Sequence, residues 1–250
     1  MRSSSPYYKS RLFVQVSKRA GKAMMDYQML QDGDKVAVAV SGGKDSLALL
    51  HILRFRRTFI PVRVELMAVS VDPGLPGFPA ERLAQYFQEI GIPYHIEKIS
   101  VLEGGPEDRL SCFWCSWSRR KSIFQMAERY GCNKVALGHH MDDIAATILL
   151  NLFYHGEISA MRPRQELFDG KLTLIRPLAY EREQTIVNLT RKEGWPLFDS
   201  VPCPLNDTSQ RAFVKQLLAQ AQRQNPDAVI NLFRSFRNVK PEYLLDSREA

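Results

Sequence analysis

Residues 35–46 read KVAVAVSGGKDS, and the fold turns on this stretch. A Val-rich apolar run stops at Ser41-Gly42-Gly43, and a helical pattern starts at once: Lys44, Asp45 and Ser46, then Leu47, Leu49, Leu50, Ile52 and Leu53. The order is strand, tight glycine turn, helix. Two glycines let the backbone turn sharply and come close to a ligand, and a helix start presents unpaired N–H groups. The expected product is an anion site, with Ser41, Lys44 and Ser46 as further donors. Walker A needs four residues between its first glycine and Gly-Lys, so this is neither that motif nor GxGxxG.

Outward from this stretch the same alternation repeats. Asp32-Gly33-Asp34 turns the chain into the first strand, and residues 62–71 read as a second, ending in Asp72-Pro73-Gly74. A helix is predicted over 80–90, closed by Gly91, and a third strand over 94–99. Next come a helix over 116–130, a strand over 134–137 ending at Gly138, and a helix over 142–153. Strands alternating with helices predict an α/β fold with a doubly wound, mainly parallel sheet covered on both faces. Ligands of such sheets sit at the carboxyl ends of the strands. That rule puts 41–46, 69–72 and 138–143 on one rim.

Past Gly156 the pattern becomes helical, with a last strand over 172–175 and helical stretches over 182–192, 210–222 and 227–237. Before the first strand, Leu12, Val16, Ala20, Ala23 and Met24 recur at helical spacing. The Arg/Ser-rich start is therefore read as a basic amphipathic helix of the fold, not a transit peptide. The expected organisation is a basic tail and helix over 1–31, a nucleotide-binding α/β core over 32–180, and a helical extension over 181–250 that carries Cys203.

Apolar content of 45% and charged content of 24% in 250 residues are those of a globular protein that buries a real core. Lysine and arginine outnumber aspartate and glutamate by 34 to 27, a net charge of +7. The excess gathers at the two ends: Arg2, Lys9, Arg11, Lys18, Arg19 and Lys22, then Arg211, Lys215, Arg223, Arg234, Arg237 and Lys240. Such ends suit a polyanionic partner. No apolar run reaches the roughly 18 residues that span a bilayer. Four cysteines exclude a disulfide scaffold and point to a reducing compartment, the cytoplasm.

Two motifs carry chemistry besides the glycine loop. Asp142 and Asp143 open a helix, where the macrodipole favours carboxylates. On the loop's own rim they suit Mg²⁺, which takes one or two carboxylates plus phosphate oxygens; helix capping is the plainer alternative. Cys112-Phe113-Trp114-Cys115 is a CxxC at a helix start. A redox pair, half a zinc site and two unrelated cysteines all compete for it. Cys132 lies roughly 15 Å from the ligand rim, at the amino end of its strand, and reads as core. Cys203 sits in a Pro-rich loop. Three thiols without an obvious fourth suit an iron–sulfur cluster with one iron lacking a protein ligand, while a His or Asp would complete a zinc site instead.

SGGKDS matches the SGGxDS signature of the PP-loop family, whose members cleave ATP to AMP and pyrophosphate. Together with DPGLPGFP, CFWCSWSRRK, ALGHHMDD, NLFYHGEI and IRPLAYERE in this order, it resembles the tRNA 2-thiocytidine biosynthesis proteins over residues 11–239. The resemblance implies a PP-loop core of the adenine nucleotide alpha hydrolase kind, with ATP and Mg²⁺ as ligands. It further implies a 4Fe–4S cluster on Cys112, Cys115 and Cys203. The implied activity adenylates the C2 oxygen of a cytidine in the tRNA anticodon loop and replaces it with sulfur. The sulfur would come from a donor such as a cysteine desulfurase or sulfide, and a homodimer is compatible.

On the same footing, Ser41, Gly42, Gly43, Lys44, Asp45 and Ser46 would hold pyrophosphate. Val69, Val71 and Gly138 would border the nucleotide, Asp45 with Asp142 or Asp143 would share Mg²⁺, and Arg119 with Arg120 would offset phosphate or cluster charge. Trp114 and Trp117 would shield the cluster. Where many members of the group carry a second CxxC followed by Gly-Ser-Gln, this chain has Asn206 and then Asp207-Thr208-Ser209-Gln210. Other PP-loop tRNA modifiers, of thiouridine or lysidine type, and a non-catalytic iron–sulfur protein that binds RNA or senses redox state are the rival readings.

Overall fold

The computed structural model describes residues 10–100, 112–198 and 210–244. In chain order the strands are β1 (Asp34–Ala39), β2 (Val64–Asp72), β3 (Tyr94–Lys98), β4 (Lys134–Ala136), β5 (Arg164–Leu167) and β6 (Leu172–Ile175). The helices are α1 (Arg11–Asp26), α2 (Lys44–Arg56), α3 (Ala80–Glu89), α4 (Cys112–Arg129), α5 (Met141–Leu150), α6 (Glu183–Glu193), α7 (Gln210–Gln224) and α8 (Ala228–Ser235). They fall into two compact units, Met1–His140 with Arg162–Asp207, and Met141–Met161 with Thr208–Ala250.

The first unit is built on a six-stranded sheet in the order β3-β2-β1-β4-β6-β5. Every pairing in it is parallel except β5 with β6. The strand order reverses between β1 and β4, and in open α/β sheets that crevice is where ligands bind. Alternate side chains go to opposite faces. Val36, Val38, Leu66 and Ala68 join Leu47, Leu50, Phe87 and Leu189 in one buried cluster. Ala37, Met67, Val69 and Val71 join Met126 and Ala127 in another. Burial on both faces explains why these strands read as unbroken apolar runs. Helix α1 closes the first face: Ser10 caps it by accepting the Phe13 N–H, and Phe13, Val16, Ala20, Ala23 and Met24 are buried.

The second unit packs Met141, Ala145 and Ala146 of α5 against Val214 and Leu218 of α7 and Val229 of α8. Helix α5 ends in a π-helical turn, Asn151–His155, closed by Gly156 at φ +64°. No helix among the described residues is long and apolar enough to cross a membrane.

The elements differ from the sequence expectation in three places. Helix α4 starts at Cys112, not 116, so CFWC is itself helical. The regular α-helix expected over 142–153 ends at Leu150, its last turn widened to a π turn. Strand β5 was not expected, and it pairs with β6 across a turn in which Asp169 and Gly170 have φ of +54° and +83°. That is the type I′ geometry that an Asp-Gly pair favours, so the dipeptide carried the signal.

Candidate active site

The glycine turn joins β1 to α2 as the sequence implies. Gly42 has φ +87°, left-handed backbone that a side chain rarely adopts, and a Cβ there would also lie 2.8 Å from Cβ of Phe198. Gly43 is the extended N-cap of α2 and has no side-chain cap, so the first-turn N–H groups stay available to a ligand. The loop braces itself through Ser46. Its hydroxyl accepts the Ser41 N–H at 3.2 Å and donates to the Gly43 carbonyl at 2.9 Å. Across the switch point, the end of β4 comes so near that a Cβ on Gly138 would lie 3.0–3.1 Å from backbone atoms of Asp45 and Ser46.

Two carboxylates bind the ammonium of Lys44, Asp45 Oδ2 and Glu183 Oε1, each at 2.9 Å. Burial alone would lower its pKa, but these two partners outweigh burial and hold it above the ordinary lysine value. Glu183 is the first residue of α6 and was not among the expected site residues. The other oxygen of Asp45, Oδ1, is buried with no hydrogen bond, and His140 Nε2 lies 3.8 Å from it. An orphaned carboxylate oxygen inside an anion-binding loop fits Mg²⁺, a hard cation that brings its own phosphate oxygens.

Beside the loop lies a cavity of about 420 Å³ whose wall includes Ser41, Val69, Val71, Cys115, Arg119 and Arg120. The structure thus brings four segments of the sequence together: the glycine turn, the end of β2, the first two turns of α4 and the end of β4. Leu137 and His139 complete the last of these. His139 Nδ1 accepts from Nε of Arg176 at 3.3 Å, and Arg176 also donates to the Arg162 carbonyl. Arg176 is nearly fully buried; burial, with Arg120 nearby, brings its pKa down to about 10. Like Glu183, it lies in the IRPLAYERE segment, which the sequence flagged as a block without assigning roles.

Cys115 is a free, partly buried thiol in this wall. Cys112 opens α4, three positions earlier in the chain, but its side chain lies outside the described residues. Cys203 lies outside them too; the chain last described before it, Phe198, donates its N–H to the Gly42 carbonyl at 3.2 Å. A thiol pair in the first turn of a helix suits thiolate ligation, because the helix start favours negative charge. Among the described residues one thiol, Cys115, lies in this wall beside Arg119 and Arg120, a soft donor next to cations that suits one ligand of a negatively charged iron–sulfur cluster. Cys132 is buried, and burial raises its pKa; it is a core thiol, as expected.

Asp142 and Asp143 open α5 in the second unit. There Arg211 of α7 donates to Asp143 Oδ1 at 2.8 Å.

A family model described as a PP-loop domain matches residues 14–221. The chain is 41% identical to a tRNA-cytidine(32) 2-sulfurtransferase of Geotalea uraniireducens over 95% of its length and 96% of the relative's. With the enzyme of the same name from Geobacter sulfurreducens the identity is 40%, over 94% and 93%. Among solved structures, the U34-tRNA thiolase NcsA from Methanococcus maripaludis with its [4Fe-4S] cluster superposes with a TM-score of 0.75, at 23% identity, over 94% of this chain and 80% of that one. That likeness concerns the fold. The glycine turn at the switch point and the near full-length identity lead to one family: the chain belongs to the PP-loop proteins, in the tRNA 2-thiocytidine biosynthesis group.

Proposed function

We propose that the protein is an ATP-dependent tRNA sulfurtransferase that thiolates C2 of a cytidine in the anticodon loop. One observation carries the reading: Ser41 of the phosphate loop and the Cys115 thiol line the same cavity. An ATP-activated carbonyl and a sulfur-handling group can therefore meet there.

The C2 oxygen of cytosine is amide-like and leaves badly. It attacks the α-phosphorus of ATP, the bond to the β-phosphate breaks, and pyrophosphate departs with its electrons. A sulfur nucleophile then adds at C2, and AMP leaves with the former C2 oxygen. The first-turn N–H groups of α2 and Lys44 hold the pyrophosphate, and Asp45 Oδ1 offers Mg²⁺ an oxygen. Positioning and charge stabilisation are most of what phosphate chemistry asks of a protein. A 4Fe–4S cluster, when bound to Cys112, Cys115 and Cys203, supplies sulfur delivery. Arg119 and Arg120 offset negative charge, and the stacked rings of Trp114 and Trp117, 5.0 Å between centroids, exclude water. Reaching C2 requires an unstacked base. The donor is a cysteine desulfurase or sulfide, the working form a homodimer, and the compartment the cytoplasm.

Anaerobic purification with iron, labile-sulfide and ultraviolet–visible measurements tests the reading, on wild type and Cys203→Ala, beside tRNA-dependent pyrophosphate release. About four irons and four sulfides per chain, lost in the variant, are expected, with pyrophosphate released only when tRNA is present. Stoichiometric zinc without labile sulfide would overturn the cluster assignment. Pyrophosphate release indifferent to tRNA would overturn the substrate.

A further inference from the structure

Helix α4 carries a second stripe, Trp117, Arg120, Lys121 and Phe124, at helical spacing i, i+3, i+4 and i+7. In most helices such a stripe faces core; here α4 buries Met126 and Ala127 against the sheet with Phe124 packed partly on them, while Trp117, Arg120 and Lys121 stay exposed. The outer stripe forms one wall of an open groove of about 700 Å³, and the β5–β6 turn supplies Phe168 and Lys171 from the other side. Arg120 lines both this groove and the active-site cavity. The two spaces are therefore neighbours along one helix.

The groove has the chemistry of a single-stranded nucleic-acid track. Three of its lining residues are cations, Arg120, Lys121 and Lys171, against one acid, Glu128. Two of its aromatic rings, Trp117 and Phe168, are exposed, and the third, Phe124, is half-buried. Phe168 is 59% exposed and meets Phe124 edge-on, with 5.8 Å between centroids. The Lys121 ammonium sits 5.1 Å from the centroid of the Trp117 ring. Phe168 also has φ +54°, a conformation that costs a bulky residue of order 1 kcal/mol or more. The fold gains little burial in return, so the observation itself asks for a use. Sequence-tolerant binders of unpaired strands combine a cationic groove with rings on which bases stack.

We infer that this groove receives the unpaired nucleotides that flank the reacting base, with Phe168 as a stacking ring and Lys121 and Lys171 as phosphate contacts. The inference rests on the reading of the protein as a tRNA-modifying enzyme, and it adds where the rest of the loop lies while one base occupies the cavity.

The test is titration of the full chain with a fluorescent stem-loop RNA and, separately, with ATP. It compares wild type, Phe168→Ala, Phe168→Trp and the double variant Lys121→Ala/Lys171→Ala. Phe168→Ala is expected to weaken RNA binding roughly tenfold, and Phe168→Trp to keep it. The double variant should lower the slope of log affinity against log salt by about 1.4, roughly 0.7 for each phosphate contact to an unpaired strand. ATP binding should stay as in wild type throughout, since none of these three side chains lines the nucleotide cavity. Wild-type RNA affinity retained by both the alanine and the lysine variants would overturn the groove while leaving the enzyme reading intact. Absence of RNA binding by wild type would overturn both. A wild-type dimer that dissociates in Phe168→Ala without change in RNA affinity would make the groove a self-association surface and overturn the inference.

Discussion

A Cβ on Gly138 would meet the carbonyl carbon of Asp45 at 3.0 Å and the amide of Ser46 at 3.1 Å. Both are backbone atoms at the start of α2 and have little room to yield. Gly138→Ala therefore pushes the end of β4 off the phosphate loop; a loss of about 1–3 kcal/mol in a urea melt should accompany weaker ATP binding by calorimetry. Two buried titratable side chains set opposite pH trends. Burial lifts the fully buried Glu181 to about 7, with Arg19 at 3.5 Å opposing the shift. Its folded-state pKa thus exceeds the unfolded 4.5, so its contribution is complete below that value and is lost as pH rises through 7. Burial instead depresses His51 to about 4. Its contribution is present above 6.5 and fades as pH falls toward 4. Glu181→Gln should stabilise the protein by on the order of 1–3 kcal/mol at pH 8, and thermal melts of the variant should lose the decline through pH 7 while keeping the acid-side loss to which His51 contributes. At this scale the sequence was legible where chemistry and spacing are local: SGGKDS and Gly138 sit where their residue types demand. Glu183 was not legible, because it reaches Lys44 across 139 positions of chain and nothing local distinguishes it from any helix-starting glutamate.

Among elements, the hairpin of β5 and β6 shows the opposite kind of glycine. Gly170 has φ +83° and nothing within 4 Å of an added Cβ, so its requirement is purely conformational. Gly170→Ala should cost about 1 kcal/mol with no change in ATP binding, read from paired melts and titrations. The buried strands were easy to see because burial on both faces leaves an unbroken apolar run. Strand β5 was hidden because it is an edge strand with the polar sequence RQEL, and its evidence lay in the turn, not in the strand. The early start of α4 was hidden for a related reason. Cys112 and Phe113 give no helical periodicity by themselves, and the pattern only declares itself once Ile123, Met126 and Ala127 begin to face the sheet.

For the molecule as a whole, a net charge of +7 and a proposed polyanionic substrate make the ionic atmosphere part of the binding equilibrium. Raising salt from about 50 to 200 mM should weaken tRNA binding by roughly 10- to 1,000-fold, while the braced glycine turn keeps its hold on ATP far better. Filter binding at graded salt, with an ATP titration at each end, checks this. The mainly parallel sheet and the rim expected to hold ligands followed from strand–helix alternation; the strand order did not. Nor did the division into two compact units. Residues 141–161 and 208–250 pack together although a long stretch of chain separates them, and no compositional break marks either boundary.

The pairing of Lys44 with Glu183 has a consequence for turnover. On the proposed reading, a phosphate that takes the third N–H of Lys44 shares the ammonium with two tethered carboxylates whose local concentration never falls. A shared ammonium should bind phosphate less tightly than a free one. The same carboxylates stand ready to hold the ammonium once the anion loosens, so in the proposed reaction they would ease the departure of pyrophosphate.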